Sequence, residues 1–214
     1  MANIELIPTG YRQSGNVCLL ASYSFILGYY KRLSNGRRAT INIARFFETY
    51  LTYLQRRLSE VGITISPKDD LRGRNVIIRE NYICDNIHLF CKTNGDIRGY
   101  EHIMNFHQYL AENQIPGYPI NFEVASSNVY VGNCQEATDI IRQHLEEQEH
   151  NLSMVFYPIA PGKGHSVVVG INSADGQIFF RDPNCNEYSN VTYDNRNFSE
   201  ELHMSEYILF RSVL

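Results

Sequence analysis

Residues 165–184 read His-Ser-Val-Val-Val-Gly-Ile-Asn-Ser-Ala-Asp-Gly-Gln-Ile-Phe-Phe-Arg-Asp-Pro-Asn. The run from His165 to Ile171 is apolar and rich in β-branched residues, which suits a strand, and Gln177 to Arg181 is a second such run. Between them, Ala174-Asp175-Gly176 supplies the small and polar residues of a hairpin turn. A hairpin returns its second strand to the end where the first began, so Asp182 arrives beside His165. The Gly162-Lys163-Gly164 segment ahead of His165 gives that end a flexible approach. A carboxylate next to an imidazole is the chemistry this stretch offers.

Working outward, Ser153 to Ile159 and Glu206 to Phe210 are further short β-rich runs, so the C-terminal part reads as a small sheet. The earlier part reads as helices. Val17 to Leu33 places Ser22, Phe25, Ile26, Tyr29, Tyr30 and Leu33 on one helical face, with Asn16 as its expected N-cap. After an Asn35-Gly36 turn, Ile43, Phe46, Phe47, Tyr50, Leu51, Leu54, Leu58 and Val61 form one apolar stripe ended by Gly62. Pro67 to Arg74 is polar and turn-rich, and Val76 to Leu89 shows no clear period. A short helix runs from Tyr100 to Asn113 through Ile103, Phe106 and Leu110, before Ile115-Pro116-Gly117-Tyr118-Pro119 breaks the chain. Asn133 and Glu136 form a capping signature for a helix burying Ala137, Ile140, Ile141 and Leu145, which ends near His150. Helices first and strands later predict one α+β domain of two lobes, a helical lobe over about 1–150 and a β lobe over about 151–214.

The chain has 214 residues, 43% hydrophobic and 20% charged, which excludes disorder and collagen-like repeats. No stretch approaches the roughly 20 apolar residues of a membrane helix, and the first ten residues lack the pattern of a secretory signal. A net charge of -4 gives no footprint for nucleic acid; the basic residues Lys31, Arg32, Arg37, Arg38, Arg56 and Arg57 read as solvated faces. Five irregularly spaced cysteines (Cys18, Cys84, Cys91, Cys134, Cys185) do not make a disulfide framework. The sequons at Asn151, Asn190 and Asn197 carry no weight without an export signal.

Cys18 falls in the first turn of the Val17–Leu33 helix, where unpaired N–H groups and the helix dipole favour a thiolate. Five residues earlier, Gln13 can aim its amide at the same place as the Cys18 backbone N–H, so that the two hold an oxyanion. His165 is the expected base and Asp182 the group that orients it. Asn184 competes for the orienting role, but Asp182 comes first after the strand and stabilises an imidazolium better. Each element taken singly is more often structural; together they point to catalysis.

Gln13 and Cys18 opening a helix, His165 within Gly-His-Ser-Val-Val-Val-Gly and Asp182 within Phe-Arg-Asp-Pro-Asn, in this order, resemble the papain-like cysteine peptidases. Within that superfamily the sequence looks like the small bacteriocin-processing-like peptidases and related secreted bacterial effector proteases, whose third member is usually Asp. The resemblance covers Tyr11 to Tyr30 and Ser153 to Glu187. It departs from many papain relatives in having Leu19 after Cys18, no Trp, and a Gln-to-Cys spacing one residue shorter than in papain. It implies a papain-like fold, with the nucleophile in the helical lobe and His and Asp in the antiparallel sheet.

The activity so implied is amide hydrolysis by a Cys-His-Asp triad through a thioester, on a protein or peptide substrate and with no cofactor. A glutamine deamidase or an acyltransferase would use the same centre, and a fold retained for binding alone is the reading from another class. Synthesis in the cytoplasm is expected, with any export through a specialised system. Cys84, His88 and Cys91 share one helical spacing and could take a metal with His102 or His107, but the spacing is not that of a standard zinc site, and no metal is expected. His144 and His150 read as surface residues.

Overall fold

The structure, a computed structural model, describes residues 1–8, 11–65, 71, 74–93, 99–121, 123–130, 134–160, 163–184 and 206–213. The described residues form helices α1 (Cys18–Asn35), α2 (Ile43–Glu60), α3 (Val76–Thr93), α4 (Gly99–Glu112) and α5 (Cys134–Glu146). The strands are β1 (Glu123–Tyr130), β2 (Leu152–Ala160), β3 (Lys163–Ile171), β4 (Ile178–Arg181) and β5 (Glu206–Val213). They make one antiparallel sheet in the order β1-β5-β2-β3-β4. The fold is thus a mixed assembly of helices with an antiparallel sheet. Among the described residues no helix is long and apolar enough to cross a membrane.

The sheet explains why β3 reads as an unbroken apolar run. Val168 belongs to the core on the α1 side, with Met154, Phe179 and Phe210, whereas Val167, Val169 and Ile171 belong to a second core with Ile141 and Leu145 of α5. Successive side chains of a strand point to opposite faces, so a strand covered on both faces loses its polar alternation. Strand β1 and helix α5 both precede residue 150, yet one forms an edge of the sheet and the other covers it. The division expected near residue 150 therefore does not separate helices from strands.

Helix α1 is more deeply placed than its sequence face suggests: every residue from Leu20 to Tyr30 is buried, while Leu33, expected on that face, is 41% exposed. Its expected N-cap is also corrected. Val17 occupies the cap position with no side-chain bond, and the Asn16 N–H is instead spent on Cys84 Sγ at 3.2 Å. Helix α2 forms as read except at its end, where Val61, expected on the apolar stripe, is the C-cap and is 43% exposed. Asn42 Oδ1 accepts the Arg45 N–H at 3.0 Å to start it, and Gly62, at φ +80°, ends it. Its Phe46, Tyr50 and Tyr53 surround Phe106 of α4, with ring centroids 5.6, 5.1 and 5.4 Å away. Phe106 is fully buried, so Phe106→Ala is expected to cost about 4 kcal/mol of stability, measured by chemical denaturation.

Helix α3 shows no clear apolar period in the sequence because its inward face is polar. Arg79 and Glu80 are buried there with Ile83, whereas Ile77 and Ile78 are 49% and 42% exposed. Asn75 Oδ1 starts it by accepting the Ile78 N–H at 3.0 Å. The reading of His144 as a surface residue is corrected as well: its ring is buried, with Nε2 2.9 Å from Ser153 Oγ. The His150 ring packs edge-on against Tyr30, centroids 5.7 Å apart. Asn133, Gly162, Cys185, Asn190 and Asn197, most of the 67–74 turn and the side chains of His88, Cys91, Cys134 and Ala137 lie outside the described residues.

Candidate active site

The β3–β4 hairpin does what its sequence promises. Asn172 and Gln177 close the turn, the Asn172 N–H donating to the Gln177 carbonyl at 2.9 Å, and Gly176 supplies the positive φ of +69°. Val168 pairs with Arg181. One step further along the same register, Asp182 falls opposite Val167, whose side chain shares a strand face with that of His165. His165 Nε2 and Asp182 Oδ1 are accordingly 3.0 Å apart. The His165 ring is also packed edge-on against Tyr157, its pairing partner on β2, with centroids 5.8 Å apart.

Asn184 sits beside this pair. Its backbone N–H donates to Asp182 Oδ1 at 2.7 Å, and its side-chain Nδ2 lies 3.4 Å from His165 Nε2. A ring nitrogen has a single proton or a single lone pair. If Nε2 carries the proton, the shorter contact to the carboxylate takes it, and Asn184 then serves Asp182 through its backbone.

Cys18 is the first residue of α1 and half-buried, with Sγ 3.9 Å from the Gly164 carbonyl that immediately precedes His165. The His165 imidazole reflects both neighbours. Burial works against its charged form, but hydrogen bonds to Asp182 and to Cys18, and then their charges, outweigh burial and hold the ring up at about 9. For Asp182, burial raises the pKa; the His165 bond, the Asn184 N–H and the charges of His165 and Arg181 override it, leaving the carboxyl below its usual range.

Gly164 makes room for this arrangement. A Cβ there would stand 2.2 Å from the tip of the Phe156 ring, so Gly164→Ala must push either the ring or the start of β3 aside. Overpacking of this kind costs about 1–3 kcal/mol. We expect a destabilised protein with slower alkylation of Cys18, both defects being relieved by adding Phe156→Leu; denaturation and alkylation rates check this.

Gln13 is placed by its backbone, whose N–H donates to the Pro183 carbonyl at 2.9 Å and so joins the loop before α1 to the Asp182 turn. Its side-chain Nε2 donates to the Gly15 carbonyl at 3.0 Å, while Oε1 is buried with no hydrogen-bond partner among the described residues. The amide nitrogen has two protons and Gly15 takes one. Of the residues considered for a metal, Cys84 Sγ accepts from Asn16, and His107 Nδ1 lies 2.5 Å from the Tyr23 hydroxyl.

Three residues that sequence reading missed complete the surroundings. Arg181, 2% exposed, sends Nη1 to the Asp182 carbonyl at 2.8 Å and Nη2 to the Tyr11 carbonyl at 3.1 Å, with its guanidinium 4.9 Å from the centre of the Phe25 ring. Its signal was a lone cation in the apolar run Ile178-Phe179-Phe180. Glu80 accepts from the backbone of Ser14 and Gly15, and the Tyr11 hydroxyl donates to it. Burial, then the charge and hydrogen bond of Glu80, push the Tyr11 phenol far up, so it stays protonated as that donor.

No family model and no curated protein matches this sequence. Among solved structures the chain is similar to the Pseudomonas avirulence protein AvrPphB, at 14% identity and a TM-score of 0.34, over 81% of this chain and 92% of that one. The likeness is too loose to carry residue roles across.

Proposed function

We propose that the protein is a cysteine-dependent amide hydrolase of papain-like type acting on a protein or peptide, with Cys18 as nucleophile, His165 as base and Asp182 as the residue that orients His165. The observation that carries this reading is the placement of His165, whose Nε2 lies 3.0 Å from Asp182 Oδ1 while the carbonyl of the adjoining Gly164 lies 3.9 Å from Cys18 Sγ. A structural histidine has no need of both neighbours; a triad does.

A ring held up at about 9 is an imidazolium at neutral pH, with Nε2–H donated to Asp182 and Nδ1 carrying the proton taken from Cys18. The thiolate then attacks the amide carbonyl carbon. The developing oxyanion is held by the Cys18 backbone N–H, which has no partner within its helix at this first position, and by the second Nε2 proton of Gln13. The imidazolium returns its proton to the leaving amine as the C–N bond breaks, leaving a thioester on Cys18. A water, deprotonated by His165, attacks the thioester, releases the acid and restores the thiol.

Peptide cleavage and side-chain deamidation differ only in which amide is presented. Intact-mass analysis of candidate proteins after incubation separates them: fragments identify a peptidase, and a one-dalton gain without fragments identifies a deamidase. Stable binding with neither change would contradict the hydrolase reading and favour a binding module.

A further inference from the structure

We infer that Glu80 on α3 is the positioning residue of the nucleophile: its buried carboxylate gathers the loop before α1 and so sets where Cys18 stands relative to His165. The inference rests on the reading of Cys18 as nucleophile and adds to it a group outside the triad.

Glu80 is fully buried. A buried carboxylate is costly unless its oxygens are satisfied, and these are satisfied by one short loop. Oε1 accepts the Ser14 N–H at 2.5 Å and the Gly15 N–H at 2.7 Å, and Oε2 accepts the Tyr11 hydroxyl at 3.1 Å. Two successive backbone N–H groups converging on one oxygen make an anion nest, and here the anion is the protein's own side chain. Among the described residues no cation pairs with Glu80; its neighbour Arg79 pairs with Glu48 at 3.3 Å. The carboxylate is therefore committed to the loop.

One helical turn further along, Cys84 Sγ accepts the Asn16 N–H and stands 2.6 Å from where a Cβ on Gly15 would be. Two residues of one α3 face, at i and i+4, thus hold Tyr11, Ser14, Gly15 and Asn16, and the chain enters α1 at Cys18 immediately afterwards. On its other side the loop is tied to the Asp182 turn by Gln13 and Arg181. Within this clamp, Glu80 makes no hydrogen bond to Cys18, His165 or Asp182, and acts on them through the loop. Placement is what such a pair requires, since a shift of about 1 Å can cost about 100-fold in rate.

Glu80→Gln keeps the length and one carbonyl oxygen but sets an amide donor against the donors of the loop. The experiment measures the iodoacetamide alkylation rate of Cys18 against pH, and the titration of the His165 ring by NMR, in the full chain, with circular dichroism as the folding control. In the wild type, Cys18 is expected to react faster than the other thiols of the chain. In Glu80→Gln that rate should fall by about tenfold or more across the pH range, and His165 should titrate at lower pH. Loss of stability alone would move none of these in the folded molecule.

Tyr11→Phe, which removes only the phenol's bond, should lower the rate by a smaller factor, and it carries the test if Glu80→Gln does not fold. A wild-type profile in a folded Glu80→Gln, or failing that in Tyr11→Phe, overturns the positioning role alone. A wild-type Cys18 that reacts no faster than the other thiols overturns the hydrolase reading and this inference with it.

Discussion

Cys18→Ala is expected to fold with nearly wild-type stability and to lose all measurable amide turnover. The stability cost is small because the thiol is half-buried on the first turn of α1; a change of under about 1 kcal/mol is expected. The rate cost is large because the remaining groups have nothing to deliver: His165 has no proton to take and no thioester forms. Removing a nucleophile from a catalytic unit costs on the order of 10⁴- to 10⁶-fold in kcat. A second consequence separates this from simple damage. The Cys18 hydrogen bond and charge help hold the His165 ring at about 9, so in Cys18→Ala the ring should titrate lower. Turnover, a denaturation curve and the NMR titration of the ring check the three statements; retained turnover would remove Cys18 from the chemistry.

Asp182→Asn has the next largest expected effect. The Asp182 hydrogen bond is the strongest influence holding His165 charged against burial, and Asn replaces a full charge by a dipole and can hold the wrong tautomer. We expect kcat to fall by about 10²- to 10⁴-fold. The pH profile should change too. In the wild type kcat is expected to fall on the alkaline side as the imidazolium is lost through about 9; in Asp182→Asn that limb should move to lower pH.

Stability follows the same sign. A ring raised from 6.5 to about 9 contributes stability that is fully present below about pH 6.5 and lost as pH climbs through about 9, and the variant should lack that dependence. Asn184→Ala keeps its backbone N–H on Asp182 Oδ1, so its effect should be much smaller. If Asn184→Ala is the crippled variant and Asp182→Asn turns over normally, Asn184 is the orienting residue.

The elements legible in the sequence are those whose burial is apolar. The α2 stripe and the β3–β4 hairpin announce themselves by period and turn chemistry, and Cys18, His165 and Asp182 stand out by order and by their places at element ends. Helix α3 was illegible because period is read from hydrophobes, and here the hydrophobes Ile77 and Ile78 face out while Arg79 and Glu80 face in. That loss hid Glu80, whose hydrogen bonds form only once α3 meets the Tyr11–Asn16 loop across more than sixty residues of sequence. Asn16 misled as an N-cap because its backbone N–H is taken by Cys84, a tertiary contact that local propensity does not encode. His144 misled because a polar residue late in an amphipathic helix resembles surface until Ser153 of the sheet is placed beside it.

The most direct test of the central claim is to treat the native protein with limiting iodoacetamide at about pH 6, where ordinary thiols are protonated, and to locate the adduct by peptide mass. The expected result is one adduct, at Cys18, whose formation slows sharply in His165→Ala. Labelling that falls first on Cys84, Cys91, Cys134 or Cys185, or a Cys18 rate indifferent to the loss of His165, would contradict it.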